Sequence, residues 1–516
     1  MIRSTFFGFT TALSGLRVSQ RSLDVTGQNI SNINTEGYTR QRLDLYSQIS
    51  GGIDDKYTTR PNNSIGQGVG ITKVEQIRNP FLDVRFRREA CKVGEIDSKL
   101  ATLKDLEYVF DETMTKGLDN QVSDFIKQLQ SLSSNTGNSE FDGIAKASAE
   151  VLTKLFNQYA NQVETVRNQQ EYQLDKVDIP KINDLLKNIA EINKSIRNSQ
   201  LQGNPALELM DTRNLYIDEL SNYMKIDVTY TPNEIAPGVI VDDINIDLIS
   251  DSYSPTKLID NEKYGIVSST RDATTGKIGI NLDFNGGGPV AIGDHLDTGV
   301  LKGNLDMLNN SGEFDSPTTT RGIGYYEKML DTIASKFAEE FNESNKLSDG
   351  TLQPLFGKKD GTPATDPITA KNLCIAEGWA NCTYGITASK NENPGGNNDG
   401  AADNILYMIS LFSKKLDFKT TPGNKVLFTG TFQECLGETK NILALDKSST
   451  EKIFKNYYSV LTQVDDSRQG ISAVSLDEEG VNLLKFQKSY NAAARLMTTL
   501  DEAIDTVINK MGVVGR

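Results

Sequence analysis

Histidine and cysteine side chains could supply chemistry in this chain, and both are scarce. The 516 residues include one histidine and four cysteines. A catalytic triad or a zinc site could therefore use one imidazole only, that of His295 in a turn-like stretch. The cysteines are Cys91, Cys374, Cys382 and Cys435, and no two form a CxxC pair for metal or redox chemistry. We expect free thiols, although the spacing also allows a disulfide between Cys374 and Cys382.

Carboxylates are abundant, with 69 Asp and Glu against 54 Lys and Arg. A carboxylate-based glycoside hydrolase is the enzyme class that a lack of histidine affects least. However, no pair of carboxylates stands out by its spacing, and one tryptophan is little for sugar stacking. Residues 399–404 lack the spaced oxygens of a calcium loop, and the glycine run 285–289 precedes a strand rather than a phosphate-binding helix. The sequence predicts no catalytic residue, no cofactor and no metal site.

The formal net charge of −15 excludes further classes of function. An acidic chain repels phosphate backbones, so we expect no nucleic-acid partner. No apolar run approaches the roughly 20 residues needed to cross a bilayer, so we expect no membrane insertion. The apolar residues after Arg3 are spaced as in a helix and continue past the place for a cleavage site, which argues against a signal peptide.

The C-terminal segment carries a seven-residue apolar repeat, which is typical of a coiled-coil seam. Asp477, Glu478 and Glu479 lie where a helix start favours negative charge, and Ser475 is a suitable N-cap. The predicted seam residues are Leu476, Leu483, Phe486, Tyr490, Met497, Leu500, Ile504 and Val507.

The N-terminal segment repeats this pattern more loosely. Its predicted seam residues are Phe6, Phe9, Leu13, Leu16, Leu23 and Ile30. Burying one large apolar side chain contributes about 1.5–3 kcal/mol, so each stripe requires a partner. The stripes could face one globular core, but their positions at the two ends favour assembly through paired terminal helices.

A polar turn follows the N-terminal helix, with Asn and Ser side chains that bond local backbone and a glycine that can take a positive φ. The segment resembles the Asn-x-x-Thr-x-Gly-Tyr-x-Arg-Gln signature of bacterial flagellar axial proteins, which are the rod, hook and hook-associated subunits. The matching residues are Asn32, Thr35, Gly37, Tyr38, Arg40 and Gln41.

Two other segments extend this resemblance. Residues 472–495 are similar to the C-terminal segment of the same family, with Ala473 where the family usually carries Gly. Residues 209–221 resemble a run in the hook-associated subunits at the hook–filament junction, with Asn214 in place of Asp. The hook protein and the second junction protein are the alternatives within the family, and the run 211–221 argues against both.

The resemblance implies a non-catalytic structural subunit that joins hook to filament. It implies synthesis in the cytoplasm, export of the unfolded chain through the flagellar type III apparatus, and a final place in the extracellular flagellum. The implied partners are further copies of the chain in a ring-like helical layer, the hook protein, the second junction protein, and a cytosolic export chaperone on the C-terminal helix.

Periodicity divides the middle of the chain. Helical spacing predicts a body from residues 61–225, 300–345 and 401–469, with its last helices near 432–436 and 450–467. Alternation with a period of two predicts a β-rich outer domain over 226–299, and residues 346–400 form an irregular surface excursion. With a terminal unit of residues 1–60 and 470–516, we predict a mainly α fold with an inserted β domain. In this fold the terminal helices pair as a coiled coil, the body is an antiparallel helical bundle, and an antiparallel β domain projects outward.

Overall fold

The computed structural model describes residues 7–48, 68–110, 117–236, 239–273, 275–315, 320–347, 350–359, 366–389, 401–420 and 425–510. The helices are α1 Phe7–Ser31, α2 Pro80–Phe110, α3 Leu118–Ser134, α4 Ser139–Tyr172, α5 Ile179–Leu201, α6 Leu207–Tyr223, α7 Val300–Asn309, α8 Ile323–Ser344, α9 Glu377–Ala380, α10 Asp403–Leu411, α11 Phe432–Ser472 and α12 Leu476–Asp505. The strands are β1 Gln41–Ser47, β2 Val69–Gln76, β3 Ile226–Ala236, β4 Val239–Leu248, β5 Thr256–Asp260, β6 Lys263–Arg271, β7 Ile278–Phe284, β8 Pro289–Ala291, β9 Phe356–Lys358, β10 Leu373–Ile375, β11 Leu416–Lys419 and β12 Val426–Gly430. The predicted fold class, mainly α with an inserted β domain, is confirmed.

The first and last of these helices, α1 and α12, pack against each other as an antiparallel pair. A methyl group added at Gly8 would lie 2.9 Å from Cδ1 of Leu500, and one added at Gly15 would lie 3.9 Å from the Cβ of Ala493. The contacts therefore advance seven residues along α1 while they retreat seven along α12, as expected for helices that run in opposite directions.

A two-stranded hairpin of β1 and β2 covers a second side of α1. Gly68, with a φ of +110°, brings the chain against α1, where the amide of Val69 donates to Oγ of Ser14 at 3.3 Å. A side chain at position 68 would collide with Ser14, so the approach requires glycine.

The body is built on the antiparallel pair of α2 and α11. Arg468 stacks on Phe86 at 3.9 Å near one end of the pair, and Lys447 binds Glu107 at the other. The N-cap Thr431 and Glu434 form a capping box that starts α11. This helix is continuous over 432–472, whereas the sequence pattern predicted two shorter segments.

The main core lies between α3, α4, α8, α10 and the start of α11, and it is rich in phenylalanine. Around Phe337 the ring centroids of Phe341, Phe356 and Phe432 lie at 4.6, 4.9 and 5.6 Å. Trp379, in α9, is fully buried against Phe356. The segment before α10 thus contributes its largest side chain to the core.

The β-rich insertion is a single six-stranded antiparallel sheet with strands in sequential order from β3 to β8. Ile226 pairs with Leu248, Ile246 with Ile259 and Val267 with Leu282. One face packs on α5, which continues α4 through a π-helical turn at Gln173–Asp178. The sheet therefore lies beside the helical body and away from the α1–α12 pair.

Candidate functional site

The polar turn after α1 is held by its own side chains. Thr35 donates from Oγ1 to Oδ1 of Asn32 at 3.2 Å, and its amide donates to the Asn32 carbonyl at 2.9 Å. Gly37 adopts a φ of +75° and lies against Leu215 of α6. These three predicted residues thus set the direction in which the chain leaves α1.

Asn29, near the end of α1, fixes the chain that returns from this turn. Its buried side chain donates from Nδ2 to the carbonyl of Gln41 at 2.9 Å and accepts from the Gln41 amide at 3.0 Å. The same Oδ1 accepts from the hydroxyl of Tyr38 at 2.9 Å. An amide side chain can both donate to and accept from one backbone position, and Asn29 uses both groups here.

Arg40 joins the two ends of the described chain. Its amide donates to the carbonyl of Ser472, the last residue of α11, at 2.9 Å. Its guanidinium donates to Oε1 of Glu479 at 2.8 Å and to Oε2 of Glu478 at 2.5 Å. Glu479 is 2% exposed, so this is a largely buried, charge-assisted contact of the stronger kind. The predicted N-cap Ser475 is confirmed, because its Oγ accepts from the Glu478 amide.

The N-terminal turn of α6 binds the same returning strand. The amide of Thr39 donates to Oδ2 of Asp211 at 3.1 Å, and Gln41 donates from Nε2 to Oε1 of Glu208 at 3.2 Å. Gln76 of β2 donates to the carbonyl of Leu207 at 2.9 Å. The terminal pair and the helical body are therefore tied together by polar contacts.

Three arginines form a second layer of ion pairs beside these contacts. Arg78 makes a bidentate pair with Asp83, at 3.0 and 3.2 Å. Arg87 of α2 and Arg468 of α11 both bind the carboxylate of Asp218 in α6, at 2.7 and 2.5 Å. We call the whole region, residues 29–41, 76–87, 208–218 and 465–479, the joint.

Burial perturbs several ionisable groups of the joint. Desolvation raises the pKa of Asp211 to about 6, against the lowering effect of its contact with Thr39. Oδ1 of Asp211 accepts no hydrogen bond from the described residues, and the nearest guanidinium nitrogen, on Arg78, lies at 3.9 Å. Desolvation and nearby carboxylates also raise the pKa of Tyr38, which keeps its hydroxyl a donor to Asn29.

A cleft of about 790 Å³ opens in the joint between the polar turn, α6 and the end of α11. We call it the joint cleft. Its charged lining residues are Glu36, Arg78, Asp211, Asp218, Glu219, Asp465 and Arg468. Five carboxylates and two guanidinium groups line the joint cleft. Asp218, Glu219 and Asp465 are paired with Arg87, Lys181 and Arg468, respectively, so most of this negative charge is compensated within the chain.

The predicted seam on α12 lies on the side of the helix that meets α1. Leu500 contacts Gly8, and the seam residues at its middle are half-buried in the structure. They are Leu483, Phe486, Tyr490, Met497, Leu500 and Ile504. Leu476 and Val507, at the two ends of the stripe, are 58% and 54% exposed.

The predicted seam on α1 lies on a different face. The line of α1 that follows α12 contains Gly8 and Gly15 and continues through buried small residues, namely Ala12, Ser19, Ser22 and Thr26. At about 100° per residue, the apolar stripe lies roughly a quarter turn from this line. Phe9, Leu16, Leu23 and Ile30 are half-buried there, Leu13 is 37% exposed, and Phe6 lies outside the described residues.

Sequence reasoning did not predict the contacts that hold the motif in place, although Asp211 lies within the run 209–221 noted above. Asn29, Glu208 and Asp211 act through tertiary contacts, and their partners are up to 172 positions away. In the sequence, Asn29 continues a line of small residues at helical spacing on α1. A polar side chain on a helix face that packs must be hydrogen-bonded, so this pattern was the available signal for Asn29.

The side chains that Sequence analysis considered for catalysis or metal binding make structural contacts or begin a helix. His295 stacks on Tyr253 at 4.4 Å, and its Nδ1 lies 3.0 Å from the hydroxyl of Thr256. None of the four cysteines, all of which are described, forms a disulfide. Asp399 and Gly400 lie outside the described residues, and Asp403 begins α10. Across the described part of the chain, no three His, Cys, Asp or Glu side chains could hold a metal, and no helix is long and apolar enough to cross a membrane.

Comparison with known families matches three parts of the chain. Residues 103–353 match the family described as flagellar hook-associated protein FlgK helical domain. Residues 9–39 match the flagella basal body rod protein family, and residues 468–511 match the flagellar basal body rod FlgEFG protein C-terminal family. The two rod-family matches fall on α1 with its turn and on the end of α11 with α12.

Comparison with individual proteins gives similarity over nearly the whole chain. Flagellar hook-associated protein 1 of Bacillus subtilis is 28% identical, over 99% of this chain and 100% of the relative. The protein of that name from Escherichia coli is 24% identical, over 96% of this chain and 98% of the relative. The solved structure of the flagellar hook junction protein FlgK from Burkholderia pseudomallei has a similar fold, with a TM-score of 0.56 and 11% identity over 76% of this chain and all of the other.

Proposed function

Because the chain belongs to the family of flagellar hook-associated protein 1, we propose that it is a structural subunit of the bacterial flagellum that joins hook to filament. The observation that carries the proposal is the alignment of 99% of this chain with the full length of the Bacillus relative. A partial match would leave the function to one domain, whereas this one includes the terminal helices, the body and the β domain.

The terminal helices supply the assembly mechanism. The apolar stripe of α1 lies roughly a quarter turn from α12, and Leu13 on it is 37% exposed, so the isolated chain buries it only in part. An adjacent subunit that covers the stripe would gain about 1.5–3 kcal/mol for each large side chain it buries fully. We assign residues 1–60 and 470–516 to the unit that makes these contacts, and the rest of the chain to a body that positions them.

The partners follow from this role. Copies of the chain form a ring-like helical layer, with the hook protein on one side and the second junction protein on the other. Before export, a cytosolic chaperone covers the C-terminal helix. The apolar residues Val481, Leu484 and Leu496 of α12 support a contact beyond the α1–α12 pair. They lie off the seam, and each is at least 47% exposed.

The protein acts outside the cell, after export through the flagellar type III apparatus. The terminal helices complete their packing on assembly, because their half-buried seams depend on neighbours for full burial. The contribution is structural, and the joint fits it because the joint fixes how the terminal pair is carried by the body.

Complementation of cells that lack the chain tests the proposal. Such cells should have hooks without filaments and should shed filament subunits into the medium, and the full chain should restore filaments. A chain without residues 476–516, or with Leu13→Ser and Leu16→Ser, should fail to restore them. Gln28→Ser, an exposed change on the same helix, is the matched control. Filaments restored by the truncated chain would contradict the proposal.

A further inference from the structure

A polar cavity of about 300 Å³ lies where α2 and α7 meet the π-helical turn at Gln173–Asp178. We call it the π-turn cavity. Three carboxylates line it, those of Asp97, Asp105 and Asp178, and no Lys, Arg or His is among its described lining residues. None of the three carboxylates forms an ion pair with a described residue. Unlike the joint cleft, the π-turn cavity is therefore lined by negative charge that the described chain does not compensate.

Asp178 differs in this respect from the other buried carboxylates. Five Asp and Glu side chains are buried among the described residues, and four of them have a nitrogen of Lys or Arg within 3.9 Å. Those four are Asp83, Asp211, Asp306 and Glu479. Asp178 is 4% exposed and has no such cation. Burying a charge without a partner is costly, so a cation bound from outside would stabilise the ionised form.

Neutral donors hold the Asp178 carboxylate in place. Its Oδ2 accepts from Nδ2 of Asn304 at 2.7 Å, and its Oδ1 accepts from Nε2 of Gln173 at 3.2 Å. Oδ1 of Asn304 accepts in turn from the hydroxyl of Ser98. Burial raises the pKa of Asp178 against the lowering effect of both amides. Because each carboxylate oxygen can accept more than one hydrogen bond, Asp178 can bind a ligand while it keeps these contacts.

Gln170 of α4 is a second and separate indication of a ligand. It lines the π-turn cavity and is 8% exposed. Neither its amide nitrogen nor its amide oxygen is hydrogen-bonded to a described residue. Buried side-chain amides are normally hydrogen-bonded in folded proteins. Its oxygen is therefore a free acceptor in the same cavity as the uncompensated carboxylate.

The acceptors of the π-turn cavity suit an organic cation rather than a metal ion. Across the described residues, no three His, Cys, Asp or Glu side chains are grouped to hold a metal. Asp178 is buried, Asp105 is half-buried and Asp97 is exposed, so the negative charge extends from the interior to the opening. A primary ammonium group has three N–H donors for Asp178 and Gln170, and its carbon chain can extend toward the opening.

We propose that the π-turn cavity binds a short aliphatic amine through its primary ammonium group, with Asp178 as the counter-ion and Gln170 as a further acceptor. A diamine places its second ammonium group near Asp97, where the cavity opens. Two sources of such a group are a free amine and a lysine side chain of another protein. The site uses no residue of the joint or of the terminal helices, so it stands or falls separately from the proposed function.

Isothermal titration calorimetry of the purified full chain tests the site. Putrescine is the probe for a free amine, and N-acetyl-lysine methylamide is the probe for a lysine side chain. The diol with the carbon chain of putrescine is the uncharged control, and sodium chloride at equal ionic strength controls for screening. One-to-one binding of an amine without binding of the diol is expected. Tighter binding of putrescine indicates a free amine, and tighter binding of the lysine derivative indicates a protein partner. No saturable binding of either amine, or equal binding of the diol, overturns the proposal.

Two variants locate the site. Asp178→Asn keeps an acceptor for Asn304 and removes the charge, so it should weaken binding of the preferred amine about tenfold or more. Gln170→Met keeps the length of the side chain and should weaken binding about threefold or more. Circular dichroism and urea unfolding should show that both variants are folded.

Asp331→Asn, a change of a half-buried carboxyl elsewhere in the body that accepts a backbone amide, is the matched control and should bind as the parent chain does. Unchanged binding by a folded Asp178→Asn chain overturns the proposal. If that variant does not fold, Gln170→Met decides, and unchanged binding by it has the same consequence.

Discussion

The helical body and the terminal helix pair bury very different surfaces. In the body, Phe337 is 2% exposed and Phe341 is fully buried, within a network of phenylalanine rings. In the terminal pair, the buried residues of α1 are small or polar apart from Val18, and Glu479 is the one buried residue among those described in α12. The large apolar residues of the pair are mostly half-buried or exposed.

This difference separates a part of the molecule that is complete alone from a part that is completed by neighbours. Dense packing of large side chains stabilises the body without a partner. The terminal pair gains stability from a close approach at Gly8 and from polar contacts at the joint. We therefore expect perturbations of the body to act on the isolated chain, and perturbations of the pair to act mainly on local opening and assembly.

The largest expected effect comes from a substitution that creates a cavity, made once in the body and once in the terminal pair. Phe337→Ala should lower the free energy of unfolding of the monomer by about 3–5 kcal/mol, because a fully buried ring is lost from a packed core. Leu16→Ala, on the half-buried stripe of α1, should cost about 1 kcal/mol. Urea unfolding followed by circular dichroism measures both. Equal losses would mean that the two regions are packed alike.

A half-buried acid in the body sharpens the comparison through pH. Burial raises the pKa of Asp331 from 3.8 to about 6, so the folded state favours the protonated form. This contribution to stability is complete below pH 3.8 and is lost as the pH rises through 6.

Asp331→Asn keeps an acceptor for the Ala370 amide and removes the charge. The variant should be more stable than the parent chain by about 1–3 kcal/mol at pH 7, with no gain near pH 3.5. Urea unfolding of both chains across that range measures the difference. A gain independent of pH would rule out ionisation as its cause.

Arg40 tests whether the terminal pair opens separately from the body. Arg40→Ala removes the ion pairs with Glu478 and Glu479 and should raise amide hydrogen exchange in α12 by an amount equivalent to about 1–3 kcal/mol. The urea transition of the body should change little. Arg42→Ala, which removes an exposed pair with Glu75, is the control and should change α12 by less than about 1 kcal/mol. A large shift of the body transition with Arg40→Ala would mean that the two regions unfold together.

The smallest expected effect concerns the fit between α1 and α12. An added methyl group at Gly15 would make an ordinary contact with Ala493 at 3.9 Å. Gly15→Ala should therefore stabilise α1 by about 0.5–1 kcal/mol through helix propensity, seen as slower hydrogen exchange in that helix. Faster exchange would show that the helices require the glycine for a closer approach.

The sequence predicted the features that follow from hydropathy or from local chemistry. The seven-residue repeat identified the face of α12 that meets α1, and alternation over 226–299 identified the β domain. The line of α1 that follows α12 was missed because Gly8, Ala12 and Gly15 give no hydropathy signal. Small residues at spacings of three and four are the pattern that would have indicated it.

Other features depend on contacts between distant residues. The segment 437–449 was not predicted as a helix, although its Glu, Lys, Leu and Ala residues favour one, and α11 runs through it along α2. The segment 346–400 is rich in turn-forming residues, yet its tryptophan is buried in the core. At the joint, the motif residues were identified, but their partners Glu479, Asp211 and Glu208 became evident only in the folded chain.

The link between Arg40 and Glu479 spans 439 positions in the sequence. A ribosome makes α1 long before α12, so the two helices cannot pair until synthesis of nearly the whole described chain is complete. Closing so long a loop is slow unless the intervening body has already folded and brought the joint residues together. The α1–α12 pair therefore forms only in a nearly complete chain. An interrupted chain can fold its body, but it lacks the helix pair through which copies are joined.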